Sequence, residues 1–234
     1  MADIVSNLDL HLKMNDDVLD STSNGYHGTL VGFAGTEFTA GKFGKALQFE
    51  DTINHYVDGT TDLAYTTEDI TIAYWMNLTA AGGNAYQWHF AKIDVAAPSE
   101  GYGCLWRPAA NYWLYFYAGN GVFLETSRSS SSLAALVDGL YHHIAWVKTG
   151  TTMALYVDGA VQTLNTYVTH ATIVNKAANW LVGVNVAGGT QRCKHPMDDL
   201  RVYSRALALA DITRLQRPYP KGGNNLSLNL GLKL

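Results

Sequence analysis

The 234-residue sequence predicts an all-β protein, a sandwich or barrel of short antiparallel strands with one short C-terminal helix. Three observations carry that expectation. Apolar residues recur with a period of two along most of the chain. Turn dipeptides interrupt these runs at short intervals. Only one stretch has a helical period.

The elements follow in chain order. Leu8, Leu10, Leu12 and Met14 alternate with Asp9, His11 and Lys13, and Ile70, Ile72, Tyr74 and Met76 alternate with Thr71, Ala73, Trp75 and Asn77. Leu114 and Phe116 alternate with Trp113, Tyr115 and Tyr117, and Ile144 and Trp146 with His143, Ala145 and Val147. Successive strand residues point to opposite faces, so each run is a strand with one core face. Asn24-Gly25, Asn120-Gly121, Asp138-Gly139 and Asp158-Gly159 tolerate positive φ and mark turns. Asp158-Gly159 stands between Leu155-Tyr156-Val157 and Ala160-Val161 and predicts a two-residue hairpin. Residues 127–132, Ser-Arg-Ser-Ser-Ser-Ser, read as one mobile loop. Leu209, Ile212 and Leu215 share one side of a helix over 209–216, expected to cap one open end of the sandwich, with Pro218 ending it. Residues 1–216 form one domain in this reading. Residues 217–234 form a Pro/Gly linker and a strand in which Leu226, Leu228, Leu230, Leu232 and Leu234 alternate with polar residues or glycine.

Composition narrows the function classes. Charged residues are 15% of the chain against about 25% for an average domain, and the formal net charge is −4. An electrostatic binder of nucleic acid or anionic membrane needs a basic excess, which is missing. No apolar run reaches the ~18 residues of a membrane span. The N-terminus has no basic region followed by an apolar one, so no secretory signal is expected. Cys104 and Cys193 are too few for a disulfide framework and lack zinc spacing; two free thiols or a single bridge both remain open.

Several phrases, in order, resemble the laminin-G-like jelly-roll family of the concanavalin A-like superfamily. They are residues 20–30 (DSTSNGYHGTL), 41–49 (GKFGKALQF), 55–57 (HYV), 70–76 (ITIAYWM), 141–147 (YHHIAWV), 155–159 (LYVDG) and 197–207 (MDDLRVYSRAL). The resemblance covers residues 8–216 and implies a two-sheet antiparallel jelly-roll sandwich with roughly six or seven strands per sheet. It leaves function open, because the fold hosts lectins, adhesins and enzymes. Two departures stand out. Tyr141 replaces the Trp that usually precedes the His pair, and Ala208 takes the helix N-cap where Ser or Thr is usual.

The resemblance also implies a structural calcium ion, Ca2+, where the first long loop meets the late Asp-Asp pair. Its ligands would be Asp20, Asn24, Asp198 and Asp199, with a backbone carbonyl of Tyr26 or His27. Calcium takes six to eight oxygens, and a loop rich in Asp, Asn and Gly can supply several. The competing reading makes Asp20 and Asn24 turn formers and pairs Asp198 with Arg201 or a loop amide.

With Leu114 and Phe116 facing the core, Trp113, Tyr115 and Tyr117 lie on the opposite face. Such a row offers ring faces to the C–H faces of a sugar. Trp88, Trp106, Tyr86 and Tyr102 are placed in upstream loops, with Asn111, Arg107 and His89 as hydrogen-bonding partners. The competing reading packs these rings under loops or in a subunit contact. Trp75 and Trp146 read as packing residues. His142 and His143 point opposite ways and do not chelate one metal. Glycoside hydrolysis needs two carboxyls about 5–10 Å apart, and no E-x-D-x-E, G-x-S-x-G or H-E-x-x-H pattern is present. Asn77-Leu78-Thr79 and Asn225-Leu226-Ser227 match the glycosylation triplet by chance.

The leading expectation is a non-catalytic carbohydrate-binding or adhesion module that takes glycan through Trp113, Tyr115, Tyr117, Trp88, Trp106 and Asn111. A second is a structural or decoration protein of a larger assembly such as a phage virion, with residues 224–234 as a homo-oligomer or particle contact. A glycoside hydrolase is third. The expected setting is extracellular or a virion surface.

Overall fold

A computed structural model describes residues 4–35, 37–50, 54–78, 86–94, 100–108, 112–120, 124–166, 173–174 and 177–218. The strands in chain order are β1 (Leu8–Leu12), β2 (Thr29–Val31), β3 (Phe38–Ala40), β4 (Lys45–Gln48), β5 (Tyr56–Asp58), β6 (Ile70–Met76), β7 (Gln87–Asp94) and β8 (Glu100–Arg107). They continue with β9 (Trp113–Asn120), β10 (Leu124–Ser129), β11 (His142–Thr149), β12 (Thr152–Val157), β13 (Ala160–Gln162), β14 (Leu164–Thr166), β15 (Leu181–Val182) and β16 (Pro196–Tyr203), and the helix α1 spans Leu209–Leu215.

Two eight-stranded antiparallel sheets form the sandwich. The first runs β13-β12-β11-β6-β16-β4-β3, with β1 also paired to β16, and the second runs β14-β10-β9-β8-β7-β15-β5-β2. The extra strands beyond the expected count are short edge pieces such as β2, β3 and β14, three residues each. The predicted hairpin is present: Val157 pairs with Ala160 across Asp158 and Gly159, at φ 50° and 79°. Both central residues at positive φ match the right-handed twist of the flanking strands.

The period-two faces meet as the pattern requires. Leu10, Leu12, Ile72, Tyr74, Ile144 and Trp146 from the first sheet pack against Phe90, Cys104, Leu114 and Phe116 from the second. The Phe116 and Trp146 rings lie 5.9 Å apart across the interface. Burying this apolar area is the main drive to fold.

Two expectations change. The segment 127–132 is not one loop, because Ser127 and Ser129 lie buried in β10, paired with Thr166 and Leu164 of β14. The helix does not cap an open end of the sandwich. Ile212 and Leu215 pack on Ala73, Ala145, Val147 and Tyr203, covering part of the outer face of the first sheet. Small residues at 73 and 145 make the room that a helix needs to approach a sheet.

Candidate functional site

The outer face of the second sheet carries the aromatic row. β9 sends Leu114 and Phe116 inward, so Trp113, Tyr115 and Tyr117 face outward with Trp88, Ile93 and Leu105. Register sets the neighbours: Tyr117 stands opposite Gly103, and Tyr115 opposite Leu105 on one side and Arg128 on the other. Gly103 is required here, since a Cβ would lie 2.8 Å from the Trp88 ring and 2.6 Å from the Phe90 carbonyl oxygen. That opening lets the Trp88 ring reach Tyr117.

The rings form a continuous run. Trp88 and Tyr117 are 5.5 Å apart, Tyr117 and Tyr115 stack at 5.7 Å and 17°, and Trp113 meets Tyr115 edge-on at 6.1 Å. Same-face residues two apart in a strand lean on one another in this way. The run is therefore less exposed than the alternation implies. Trp88 is 3% and Tyr115 6% exposed, while Trp113, Tyr117 and Tyr86 are half-buried and offer ring surface to solvent.

Polar groups border the rings. The Arg128 guanidinium lies 3.6 Å from the Trp113 centroid, and Arg107 lies 4.9 Å from that of Tyr86. Arg107 Nη1 donates to the Tyr115 hydroxyl at 3.4 Å, and Trp88 Nε1 donates to Gln191 Oε1 at 2.8 Å. Burial first, then the neighbouring phenols, pushes the Tyr117 hydroxyl above its ordinary pKa, so it stays a neutral donor and acceptor. Cationic donors beside apolar ring edges can bind a hydroxylated ligand without reacting with it.

Three expected members are placed elsewhere. Trp106 lies in β8 rather than a loop and is buried in the inter-sheet core against Tyr112, because strand alternation turns it away from Leu105. Tyr102, also in β8, is in the core and donates to the Leu63 carbonyl at 2.9 Å. His89 is inside too, 2.8 Å from the Tyr74 hydroxyl. The irregular register between Trp88 and Phe90 puts it there. Asn111 lies outside the described residues. Arg128 and Gln191 were missed. Only the pairing of β10 with β9 and a contact 103 residues away in sequence bring them to the rings.

The expected calcium ligands do not converge. The Asp20 carboxylate accepts from the backbone N–H groups of His11 (3.0 Å), Thr22 (2.9 Å) and Tyr26 (3.0 Å) and from the Thr22 hydroxyl (2.6 Å). Asn24 Nδ2 donates to the Asp9 carbonyl at 2.9 Å, and His27 Nδ1 accepts from Asp20 N at 3.0 Å. Asp198 Oδ2 accepts from Phe43 N at 2.7 Å, while Asp199 pairs with Arg201 at 2.9 Å and meets His11 Nε2 at 2.7 Å. Among the described residues no three His, Cys, Asp or Glu side chains come together as a metal site. These five residues therefore do not fit one ion that wants six to eight oxygens. Asp20 and Asn24 organise their loop, and a loop amide holds Asp198.

The histidine pair is structural in its contacts. His142 bridges Asp158 (2.7 Å) and Asp138 (3.0 Å), and His143 turns to the Trp75 ring at 5.2 Å. Trp75 and Trp146 are buried. No helix among the described residues is long and apolar enough to cross a membrane.

A family model described as the concanavalin A-like lectin/glucanases superfamily, Laminin_G_3, matches residues 50–213. No curated protein matches the sequence. Among solved structures, domain 4 of AbnA, an extracellular arabinanase of Geobacillus stearothermophilus in complex with arabinotriose, is similar at TM-score 0.67 and 21% identity, covering 90% of this chain and 98% of that one. The binding domain of Paraclostridial Mosquitocidal Protein 1 is similar at TM-score 0.69 and 13% identity, over 91% of this chain and 52% of that one. The ligand-binding domain of botulinum neurotoxin serotype D, in complex with N-acetylneuraminic acid, is similar at 0.64 and 12% identity, over 92% and 52%. The chain thus spans about half the length of the two toxin domains. At these identities the likeness shows the fold.

Proposed function

We propose, for a chain that belongs to the laminin-G-like family of the concanavalin A-like lectin/glucanases superfamily, that it is a non-catalytic carbohydrate-binding module. The run Trp88–Tyr117–Tyr115–Trp113 carries this reading, because it sets a ring surface beside Arg107, Arg128 and Gln191 on the outer face of the second sheet. Trp113 and Tyr117 touch the sugar. Tyr115 and Trp88, more deeply buried, hold them in place. Similar domains in complex with arabinotriose and N-acetylneuraminic acid support a saccharide as the ligand class. The module acts outside the cell, a setting supported by the extracellular arabinanase.

The test is a glycan array followed by tryptophan-fluorescence titration of the strongest binder. The variant Trp113→Ala/Tyr117→Ala should bind about tenfold or more weakly, since each buried contact ring contributes on the order of 1 kcal/mol. Its melting temperature should stay close to that of the parent. Absence of any binder at high protein concentration, or equal binding by the variant, overturns the reading.

A further inference from the structure

We propose a second ligand site, separate from the aromatic face, in the cleft where the edge strands of the two sheets meet; it takes a protonated amine on a hydroxylated body, the chemistry of an amino sugar. The cleft is a cavity of about 350 Å³, within the range of small-molecule sites. One wall comes from the second sheet, with Gly32 and Ala34 following β2 and His55 preceding β5. The other comes from the first sheet, with Glu37, Thr39, Gln48 and Glu50 on and beside β3 and β4.

The walls are built rather than incidental. His55 is only 5% exposed, and its Nδ1 has no hydrogen-bond partner among the described residues. A buried polar atom in that state calls for a ligand or water group to meet it. Phe33 stacks on the His55 ring at 4.4 Å and 18°, fixing its plane. Gly32, at φ 83°, lets the chain pass where a Cβ would sit 2.3 Å from the Asn54 carbonyl oxygen. The Glu37 carboxylate accepts from the N–H groups of Ala34 and Gly35, which holds it at the mouth. Gln48 Nε2 donates to the Phe49 and Lys194 carbonyls at 2.6 and 3.1 Å, which commits its NH2 group and leaves Oε1 as the acceptor end.

The lining therefore presents two carboxylates, an amide oxygen, a hydroxyl and the His55 imidazole, and no lysine or arginine lines it among the described residues. A site rich in acceptors selects a ligand rich in donors. An ammonium group brings three donors and a positive charge, and charge-assisted hydrogen bonds to carboxylate are the stronger kind. Sugar hydroxyls complete the match with Thr39 and Gln48. An acidic sugar is repelled.

The experiment titrates glucosamine, glucose and glucuronate into the full ¹⁵N-labelled chain at mildly acidic pH, where the amine is protonated. Glucosamine should shift the amide signals of Gly32, Ala34, Thr39 and Gln48 and bind about tenfold more tightly than glucose, with no shift from glucuronate. Glu50 is exposed, so Glu50→Gln should fold normally and lose most of the preference for glucosamine. Trp113→Ala/Tyr117→Ala should leave these shifts unchanged, which separates this site from the aromatic face. Equal affinity for glucosamine and glucose, an unchanged Glu50→Gln, or shifts confined to the aromatic face would each overturn the proposal.

Discussion

The Asp198 carboxylate accepts a 2.7 Å hydrogen bond from the Phe43 N–H and fastens the turn 41–44 over the outer face of the first sheet. Beneath that turn lie Trp75, whose ring has Lys42 Nζ at 4.3 Å and Phe43 edge-on at 5.6 Å, and its register partners Asp198 and His143. Asp198 Oδ1, Trp75 Nε1 and His143 Nδ1 are buried without hydrogen-bond partners among the described residues. Burial raises the Asp198 carboxyl from 3.8 to about 7.

That shift has a definite sign. Between pH 3.8 and about 7 the folded protein holds the Asp198 proton while the unfolded chain has released it. This group's contribution to stability therefore falls as pH rises through that window and is level above it. Asp198→Asn keeps an acceptor for Phe43 N and cannot ionise. Its melting temperature relative to the parent should climb from pH 4 to 7, by a free energy on the order of a few kcal/mol. A difference that stays flat across pH would show that Asp198 titrates normally.

Asp20 is the main acceptor within the first long loop. Asp20→Ala removes an acceptor of four hydrogen bonds and should cost about 2–4 kcal/mol, since buried donors are left unpaired. The loss should be the same in EGTA and in calcium chloride, and the parent's melting temperature should not respond to either. A fall in the parent's melting point on EGTA dialysis would restore the metal reading.

Helix α1 starts without a side-chain cap. Ala208 is its N-cap at φ −72° and ψ 158°, a geometry that already suits a capping residue. Ala208→Asp or Ala208→Ser should stabilise the protein by about 1 kcal/mol, raising the melting temperature roughly 2–4 °C. No gain by scanning calorimetry would mean that the first turn of the helix is satisfied by other groups.

Cys104 and Cys193 are both buried and unbridged. Burial pushes the Cys104 thiol up to about 12, and the thiolate is the reactive form. Ellman's reagent should therefore find no thiol in the native protein and both after denaturation, and dithiothreitol should leave the melting temperature unchanged. Fast labelling of the native protein would contradict the packing at both positions.

Much of the fold was legible because the features are local. The alternation at Leu114 and Phe116 placed Trp113, Tyr115 and Tyr117 on the outer face, and the 209–216 helix appears as Leu209–Leu215. Trp106 was misplaced because a strand inside a loop-like composition hides its own parity. His89 went wrong through an irregular register that no sequence pattern announces. Arg128 was hidden in a Ser-rich stretch that looks like a loop until β14 pairs with it.

The sequence by itself determined the period-two faces, the Asp158-Gly159 hairpin, the helix with its uncapped Ala208, and the family. Each of these depends on backbone geometry within a few residues or on ordered phrases along the chain. Only the tertiary structure decided which faces are covered. It laid the 41–44 turn over Trp75, brought Gln191 to Trp88, turned Asp20 and Asp198 to separate partners, and opened the cleft at His55. Those outcomes follow from strand neighbours and irregular registers set by contacts between distant segments, and an alternating pattern reads the same whichever strand comes to lie beside it.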